Sequence, residues 1–495
     1  MAGALHAEIA GVAIPTDLPR QMVIGGRQVD AASGDRIETV DPATGRVFAD
    51  VPAGTVDDVD AAVADSRKAL VGTWRGTLPV ERGRILSRAA ALIRRDAERL
   101  AIIETLDSGK PLAESRGDVA TAAGYFEYYA GIADKLQGDS IPLGPDYMSF
   151  TLHEPVGVTA HVIPWNFPLV TTARGVAPAL AAGNTAVVKP ATQTPLTALA
   201  LADLLTEAGL PAGVYNVVTG RGGTIGDALV GHPGVDHVTF TGSVPTGINV
   251  MKVAAERVTS VTLELGGKSP VVVLADADLD AAVAGTLKAI YMNAGQVCSA
   301  GSRLVIERKV HAAMMERLVP RVETMAPGHG LDDAPIGPLV SAAQLKIVSD
   351  FVDDARKVNS LNVVAGGQRL SPEGMENGHF YAPTIIDDAP MDARVVQEEI
   401  FGPVLTVQIV DSPDEAIAVA NGTDFGLCAG IYTRDISRAM AFARDVDAGQ
   451  VFINQYFAGG VPTPFGGTKM SGFGREKGLA ALASYYRVKC ITTRL

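Results

Sequence analysis

Between residues 147 and 280, short β-rich runs (GVTAHVI, NTAVVKP, GVYNVV, DHVTF, SPVVVL) alternate with helical ones (LVTTARGVAPALAAG, PLTALALADLLTEAGL, PTGINVMKVAAERV). This alternation leaves few folds open, because it predicts right-handed βαβ units and hence a parallel sheet. A second series, RLVIERK, HAAMMERLVPRVETM, SAAQLKIVSDFVDDARK, PVLTVQIV, DEAIAVAN and QVFINQY, fills residues 303–456 and predicts another α/β domain. Upstream, VDDVDAAVADSRKAL, PVERGRILSRAAALIRRDAERLAIIETLDSG and LAESRGDVATAAGYFEYYAGIADKL all have helical apolar spacing, with Ser108-Gly109 as the stop of the second. QMVIGGRQVD reads as a hairpin turning at Gly25-Gly26, so the fold is expected to start near Gln21, with residues 1–20 an arm. The closing ASYYRVKCITTRL reads as an extended strand able to pair with another subunit.

Charge and cysteine content remove several function classes. Lys plus Arg total 42 against 55 for Asp plus Glu, a net charge of −13 with no dense basic cluster, which disfavours a nucleic-acid or anionic-membrane partner. The three cysteines, Cys298, Cys428 and Cys490, allow at most one internal disulfide and no Cys-pair metal site; no metal site is visible, and a reducing, cytoplasmic setting is expected. No signal peptide or membrane-spanning run is legible.

Two glycine-rich turns follow expected strands, Gly220-Arg221-Gly222-Gly223 and Thr241-Gly242-Ser243-Val244-Pro245-Thr246-Gly247. Either suits a phosphate at a helix start, and either could be simply a tight turn. Gly266-Gly267-Lys268-Ser269 imitates the end of a P-loop, but Thr262 stands where the first glycine is required, and no G-x-S-x-G elbow occurs. Cys298 lies in a loop of small residues, NAGQVCSAGSR, which suits a reactive thiolate that substrate approaches closely; Cys428 and Cys490 are expected to be buried, inert thiols. Glu264, between two leucines before a Gly-Gly turn, is either a desolvated base or a solvated strand end. Asn166, between Pro164 and Pro168, suits an oxyanion donor or a structural turn.

Taken together, PWNFP (164–168), KPATQTP (189–195), FTGS (240–243), LELGGKSP (263–270), NAGQVCSAGSR (293–303), EEIFGPV (398–404) and PFGGTKMSGFGRE (464–476) resemble the NAD(P)-dependent aldehyde dehydrogenase superfamily in order and approximate spacing. The resemblance runs from about Gln21 to the C-terminus. It implies an α/β fold of two Rossmann-type domains plus a small arm. The dinucleotide-binding domain would take residues 1–135 and 155–263, the catalytic domain 264–472, and the bridging and oligomerisation arm 136–154 and 473–495. It also implies a homodimer or a dimer of dimers (a homotetramer), with NAD and/or NADP as cofactor. By the same resemblance Cys298 is the nucleophile, Asn166 with the Cys298 backbone N–H forms the oxyanion hole, Glu264 is the general base and Glu476 handles protons from behind. Ile163, Trp165, Lys189, Thr192, Gly222, Ser243, Leu265, Glu399 and Phe401 match cofactor-lining positions. Thr192 replaces a glutamate usual in NAD-preferring relatives, which removes repulsion against a 2′-phosphate and leads us to expect that NADP is accepted as well as NAD.

For the aldehyde, the resemblance places Phe167, Thr171, Arg174, Met292, Phe457, Gly459 and Phe465 around the tunnel. Arg174 in place of an aromatic residue argues against a cage for quaternary ammonium. The expected activity is oxidation of a medium aliphatic or aromatic aldehyde to the acid, through a thiohemiacetal and a thioester on Cys298. The alternatives are a semialdehyde dehydrogenase in which Arg174 binds a substrate carboxylate, and a catalytically inactive binding protein.

Overall fold

The computed structural model describes residues 8–9, 12–357 and 361–495. Its first sheet has eight strands in the order Gly472–Phe473, Ser260–Glu264, His237–Thr241, Val158–Val162, Thr185–Lys189, Tyr215–Val217, Met22–Ile24, Arg27–Val29. The middle five are parallel, and the outer pairings are antiparallel. Thr185–Lys189 and His237–Thr241 are buried at every residue, as strands covered on both faces must be. From Val158–Val162 the chain winds outward to Thr185–Lys189 on one side and later returns to lay His237–Thr241 on the other. That reversal of strand order opens a crevice beyond the C-terminal strand ends, where Asn166 and Ser243 follow their strands.

A second sheet has seven strands: Asn362–Ala365, Thr384–Asp387, Val404–Val410, Arg303–Glu307, Pro270–Val273, Cys428–Tyr432 and Gln450–Ile453. All its pairings are parallel except the first. The sequence pattern had not marked Ser260–Glu264 or Cys428–Tyr432 as strands. SVTLE alternates but buries its polar Thr262 and Glu264, and CAGIY carries a central glycine that lowers strand propensity.

The helical block packs Pro79–Arg95 against Leu112–Ala130, which in turn lies on Pro168–Ala181. The expected long helix from Pro79 is two, Pro79–Arg95 and Ala97–Ser108, broken at Asp96 with φ −97° and ψ 19°. The Asp96 carboxylate there accepts from the Arg95 guanidinium, Nε to Oδ1 at 2.7 Å. Gly109, at φ 82°, ends the second helix as the sequence predicts. Part of the arm expected over residues 1–20 lies outside the described residues, but Ile14 and Leu18 are buried in the main core, so the chain is anchored before Gln21.

The C-terminal strand Tyr486–Arg494 runs antiparallel to Tyr147–Pro155, register Tyr486↔Pro155 to Arg494↔Tyr147, and Ser140–Ile141 pairs with the other edge of Tyr147–Pro155. The outer edge of Tyr486–Arg494 has no partner strand among the described residues. Cys490 lies exposed there, which corrects the expectation that it is buried; Cys428 is buried.

Candidate active site

Helix Leu279–Tyr291 ends as Met292 turns to φ −54° and ψ 136°, and Asn293, Ala294 and Gly295 then take left-handed φ values of 49°, 53° and 73°. This turn starts the loop that carries Cys298 to strand Arg303–Glu307. Small neighbours are a steric requirement here: a Cβ on Gly267 would collide with the Cys298 carbonyl oxygen, and one on Gly301 would stand 2.8 Å from the Ala289 Cβ. Asn166 Nδ2 donates to the Gln296 carbonyl at 2.9 Å, and Asn293 Nδ2 donates to the Asn166 carbonyl at 3.1 Å, so the PWNFP turn and the cysteine loop are tied together. The second N–H of the Asn166 amide remains for another acceptor. Burial pushes the Cys298 thiol up to about 12, with the Arg174 guanidinium opposing the shift.

Glu264 is the last residue of Ser260–Glu264 and is 1% exposed, and neither carboxylate oxygen has a hydrogen-bond partner. Burial, reinforced by the charge of Glu476, holds its proton affinity well above the usual carboxylate range, while Arg174, Arg475 and Lys477 act the other way. The PFGGTKMSGFGRE segment packs onto it: Leu265 N donates to the Ser471 carbonyl at 3.0 Å, and a Cβ on Gly466 would stand 2.7 Å from Glu264 Oε1. Glu476 is buried and ion-paired with Arg174. Arg174 also donates from Nη2 to Thr241 Oγ1 at 3.3 Å and stands 5.3 Å from the centre of the Phe465 ring. Its charge is therefore committed inside the protein.

Cys298 and Asn166 lie where two cavities meet. The first, about 260 Å³, is walled by Phe167, Thr171, Arg174, Met292, Phe457 and Phe465. Gly459 is absent from that wall: it lies on an exposed turn at φ 104°, and Ala458 and Gly460 face the space instead. Asp118, Tyr125 and Lys477 also line it. Sequence reasoning missed these three, because a polar side chain on a helix (Asp118, Tyr125) or at a bend (Lys477) carries no local sign of which distant loop it faces.

The second cavity, about 190 Å³, is lined by Trp165, Ser243, Gly266, Gln344, Glu399 and Phe401. The Trp165 and Phe401 rings meet edge to face at 5.2 Å, and Gln344 Nε2 steadies the left-handed Phe401 by donating to its carbonyl at 2.9 Å. Glu399 Oε1 accepts from Gly267 N at 3.0 Å, and a Cβ on Gly266 would displace the same carboxylate. Burial raises Glu399 to about 7. Ser243 caps helix Val244–Ala255, with Pro245 in its first turn, so free N–H groups point toward this space.

Ile163, Lys189 and Leu265 are buried and lie outside that lining. Lys189 Nζ donates to the Pro190 carbonyl at 3.0 Å, and burial lowers the amine to about 8. Thr192 donates to the Gly220 carbonyl at 3.2 Å and shares a wide groove with Arg221, while Gly222 opens the exposed helical turn Gly222–Gly226 beside it. Among the described residues no helix is long and apolar enough to cross a membrane.

A family model described as the aldehyde dehydrogenase family matches residues 29–491. A Burkholderia cenocepacia protein described as a candidate aldehyde dehydrogenase is 48% identical and superposes with a TM-score of 0.94 over 96% of this chain and 99% of its own. An aldehyde dehydrogenase from Bacillus cereus is 42% identical, covering 96% of each chain at 0.94. Betaine aldehyde dehydrogenase from Staphylococcus aureus, in complex with NAD+, is 37% identical over 96% of this chain and 95% of that one, again at 0.94.

Proposed function

Because the chain belongs to the aldehyde dehydrogenase family, we propose that it oxidises an uncharged aldehyde to the carboxylic acid through a covalent intermediate on Cys298, with NAD or NADP as oxidant. The observation that carries the reading is the position of Cys298 between two cavities, one aromatic and closed by Arg174, the other offering backbone N–H groups, an aromatic pair and a carboxylate.

The Cys298 thiolate, favoured by the Arg174 guanidinium, adds to the carbonyl carbon, and negative charge develops on the carbonyl oxygen. Asn166 Nδ2 and the Cys298 N–H are assigned to that oxygen, a contribution on the order of 3–4 kcal/mol per donor. The lining of the second cavity suits a nicotinamide riboside and pyrophosphate: Glu399 would accept from ribose hydroxyls, Trp165 and Phe401 would offer ring contacts, and the helix start at Ser243 would suit phosphate. A dinucleotide held there would supply the acceptor for the hydride that the Cys298 thiohemiacetal must lose to become a thioester. Glu264 then takes a proton from water, the resulting hydroxide attacks the thioester carbon, and the C–S bond breaks to release the acid and the Cys298 thiolate. A carboxylate with raised proton affinity and unfilled oxygens suits that task. Glu476, paired with Arg174, lies behind Glu264 as the next proton-handling group.

NADP is included because residue 192 is a threonine and Arg221 shares its groove, so a 2′-phosphate meets no carboxylate from that position. A medium aliphatic or aromatic aldehyde is favoured by Phe167, Phe457, Phe465 and Met292. The Arg174–Glu476 pair weighs against both a quaternary ammonium and a carboxylate anchored on Arg174. Assembly into a homodimer or a dimer of dimers through the open edge of Tyr486–Arg494 belongs to the same reading.

The test crosses NAD and NADP with hexanal, benzaldehyde, succinic semialdehyde and betaine aldehyde, following reduced-nicotinamide absorbance, with Cys298→Ala as control. Turnover of hexanal or benzaldehyde that vanishes in Cys298→Ala is the expected result. Turnover that survives in Cys298→Ala, or a clear preference for succinic semialdehyde or betaine aldehyde, overturns the mechanism or the substrate class respectively.

A further inference from the structure

Helix Leu279–Tyr291 stops seven residues before Cys298, and the backbone that follows holds a conformation that L-residues avoid. Asn293 (φ 49°, ψ 37°) and Ala294 (φ 53°, ψ 34°) are both left-handed, and in Ala294 the Cβ is crowded against its own carbonyl with no side-chain hydrogen bond in return. The loop is held at several points. The Asn293 carbonyl accepts from Gln296 N and Nε2, both at 3.0 Å, and the Asn293 amide reaches the Asn166 carbonyl. The Asn293 N–H has left the helical ladder and needs an acceptor of its own. That acceptor is Glu114, in the first turn of helix Leu112–Ala130, whose Oε2 and Oε1 stand 3.0 and 3.2 Å from it.

We propose that Glu114 is a positioning residue for the nucleophile: its carboxylate accepts the Asn293 N–H and so holds the left-handed turn that aims Cys298 between the two cavities. Glu114 lines neither cavity, so it acts through the loop and not on substrate or cofactor. Its side chain is half-buried, with Lys110 and Asp118 the neighbouring charges that act on it. Among the described residues the side-chain acceptor of the Asn293 N–H is Glu114, and two acids near it are engaged elsewhere: Asp118 by Lys110 at 2.6 Å, and Asp107, which accepts from Leu196 N at 2.9 Å. The inference rests on the assignment of Cys298 as nucleophile.

The test compares Glu114→Ala, Glu114→Gln and Glu114→Ala/Ala294→Gly in the full-length enzyme. The readouts are kcat, KM and the iodoacetamide alkylation rate of the Cys298 peptide, resolved by mass spectrometry from the peptides of Cys428 and Cys490. Alkylation is measured without substrate or cofactor, so a failure of the proposed chemistry, seen as turnover surviving in Cys298→Ala, is separable from a failure of this proposal. In Glu114→Ala we expect kcat and the alkylation rate to change together by about tenfold, the scale of one lost hydrogen bond, with KM nearly unchanged. Glu114→Gln retains an acceptor oxygen and should stay near the parent enzyme. Ala294→Gly removes the Cβ that opposes the left-handed turn and should restore most of the loss. Unchanged alkylation in Glu114→Ala, damage in Glu114→Gln equal to that in Glu114→Ala, or no recovery in the double variant overturns the proposal. If Glu114→Ala fails to fold, Glu114→Gln and the double variant still decide it.

Discussion

Two clusters of buried charge border the aldehyde-side cavity, and they are built differently. Around Lys110 the charges compensate one another: Nζ lies 2.6 Å from Asp118 and 3.7 Å from Glu104, and also stands 4.2 Å from the centre of the Phe167 ring. Around Glu264 the compensation is incomplete. Arg174 pairs with Glu476, and no Lys, Arg or His nitrogen reaches Glu264 within 4.0 Å among the described residues. Both clusters shift carboxylates upward by burial. A cluster in which each carboxylate has a cation within reach spends its charge on holding helices together, whereas a carboxylate with no cation within 4.0 Å and a thiol in its electrostatic neighbourhood has somewhere to put a substrate's proton. A perturbed pKa and carboxylate oxygens without a hydrogen-bond partner mark Glu104 and Glu264 alike; the cation within 4.0 Å of Glu104, and none within that distance of Glu264 among the described residues, separates a scaffold from a candidate base.

The largest effect should come from the incomplete cluster. Glu264→Gln removes the base, and we expect acid formation to fall about 10²–10⁴-fold with folding and cofactor binding intact. An acyl mass should accumulate on the Cys298 peptide. In the parent enzyme the base must be ionised, and its folded proton affinity is raised, so kcat should fall as pH drops through a limb lying above the range of an exposed glutamate. Residual activity in Glu264→Gln should lack that limb. An unchanged pH profile would remove the distinction between the clusters.

Next is Lys110→Met, which leaves Glu104 and Asp118 uncompensated and should cost about 3–5 kcal/mol in stability, read by denaturant unfolding, with turnover per folded molecule largely kept. Burial raises Glu104 to about 7 in the presence of Lys110. A carboxyl with a raised folded pKa contributes stability that is present below the ordinary glutamate range and lost as pH rises through about 7. Removing the cation raises that pKa further, so the variant's deficit should be larger at pH 8 than at pH 5. A deficit in kcat instead of stability would make this cluster part of the chemistry.

Smallest is Arg174→Met, expected to lower kcat by about tenfold through loss of the cation that favours the Cys298 thiolate and compensates Glu476. The loss should be equal for benzaldehyde and succinic semialdehyde. A rise in KM confined to the carboxylated aldehyde would make Arg174 a substrate anchor and break its assignment to the internal pair.

Local chemistry made much of this site legible. The Gly-Gly step after Glu264 and the small residues around Cys298 are steric necessities, and they appear in the sequence as such: a Cβ at Gly267 has no room. Strand Thr185–Lys189, buried on both faces, announces itself as an apolar run, whereas Ser260–Glu264 turns alternate polar side chains into the protein and hides. Gly459 shows the limit of placing a residue by likeness of motif: it was expected on the tunnel wall, but its neighbours Ala458 and Gly460 face the cavity.

The sequence by itself determined the alternating α/β architecture, the turn at Gly109 and Cys298 as a candidate thiolate, because periodicity, backbone permissiveness and small-residue runs are properties of neighbouring residues; Glu264 and Asn166 stayed open on their neighbours alone and became candidates through the resemblance of their motifs. Only the tertiary structure decided which charges are spent. Arg174 looks available to a substrate until Glu476, brought beside it from the far end of the chain, takes its guanidinium, and nothing near Asn293 in sequence names Glu114 as its acceptor. The physical reason is that a charge or a polar hydrogen acquires its role from what replaces water around it, and in this protein those replacements arrive from elements far apart in the chain.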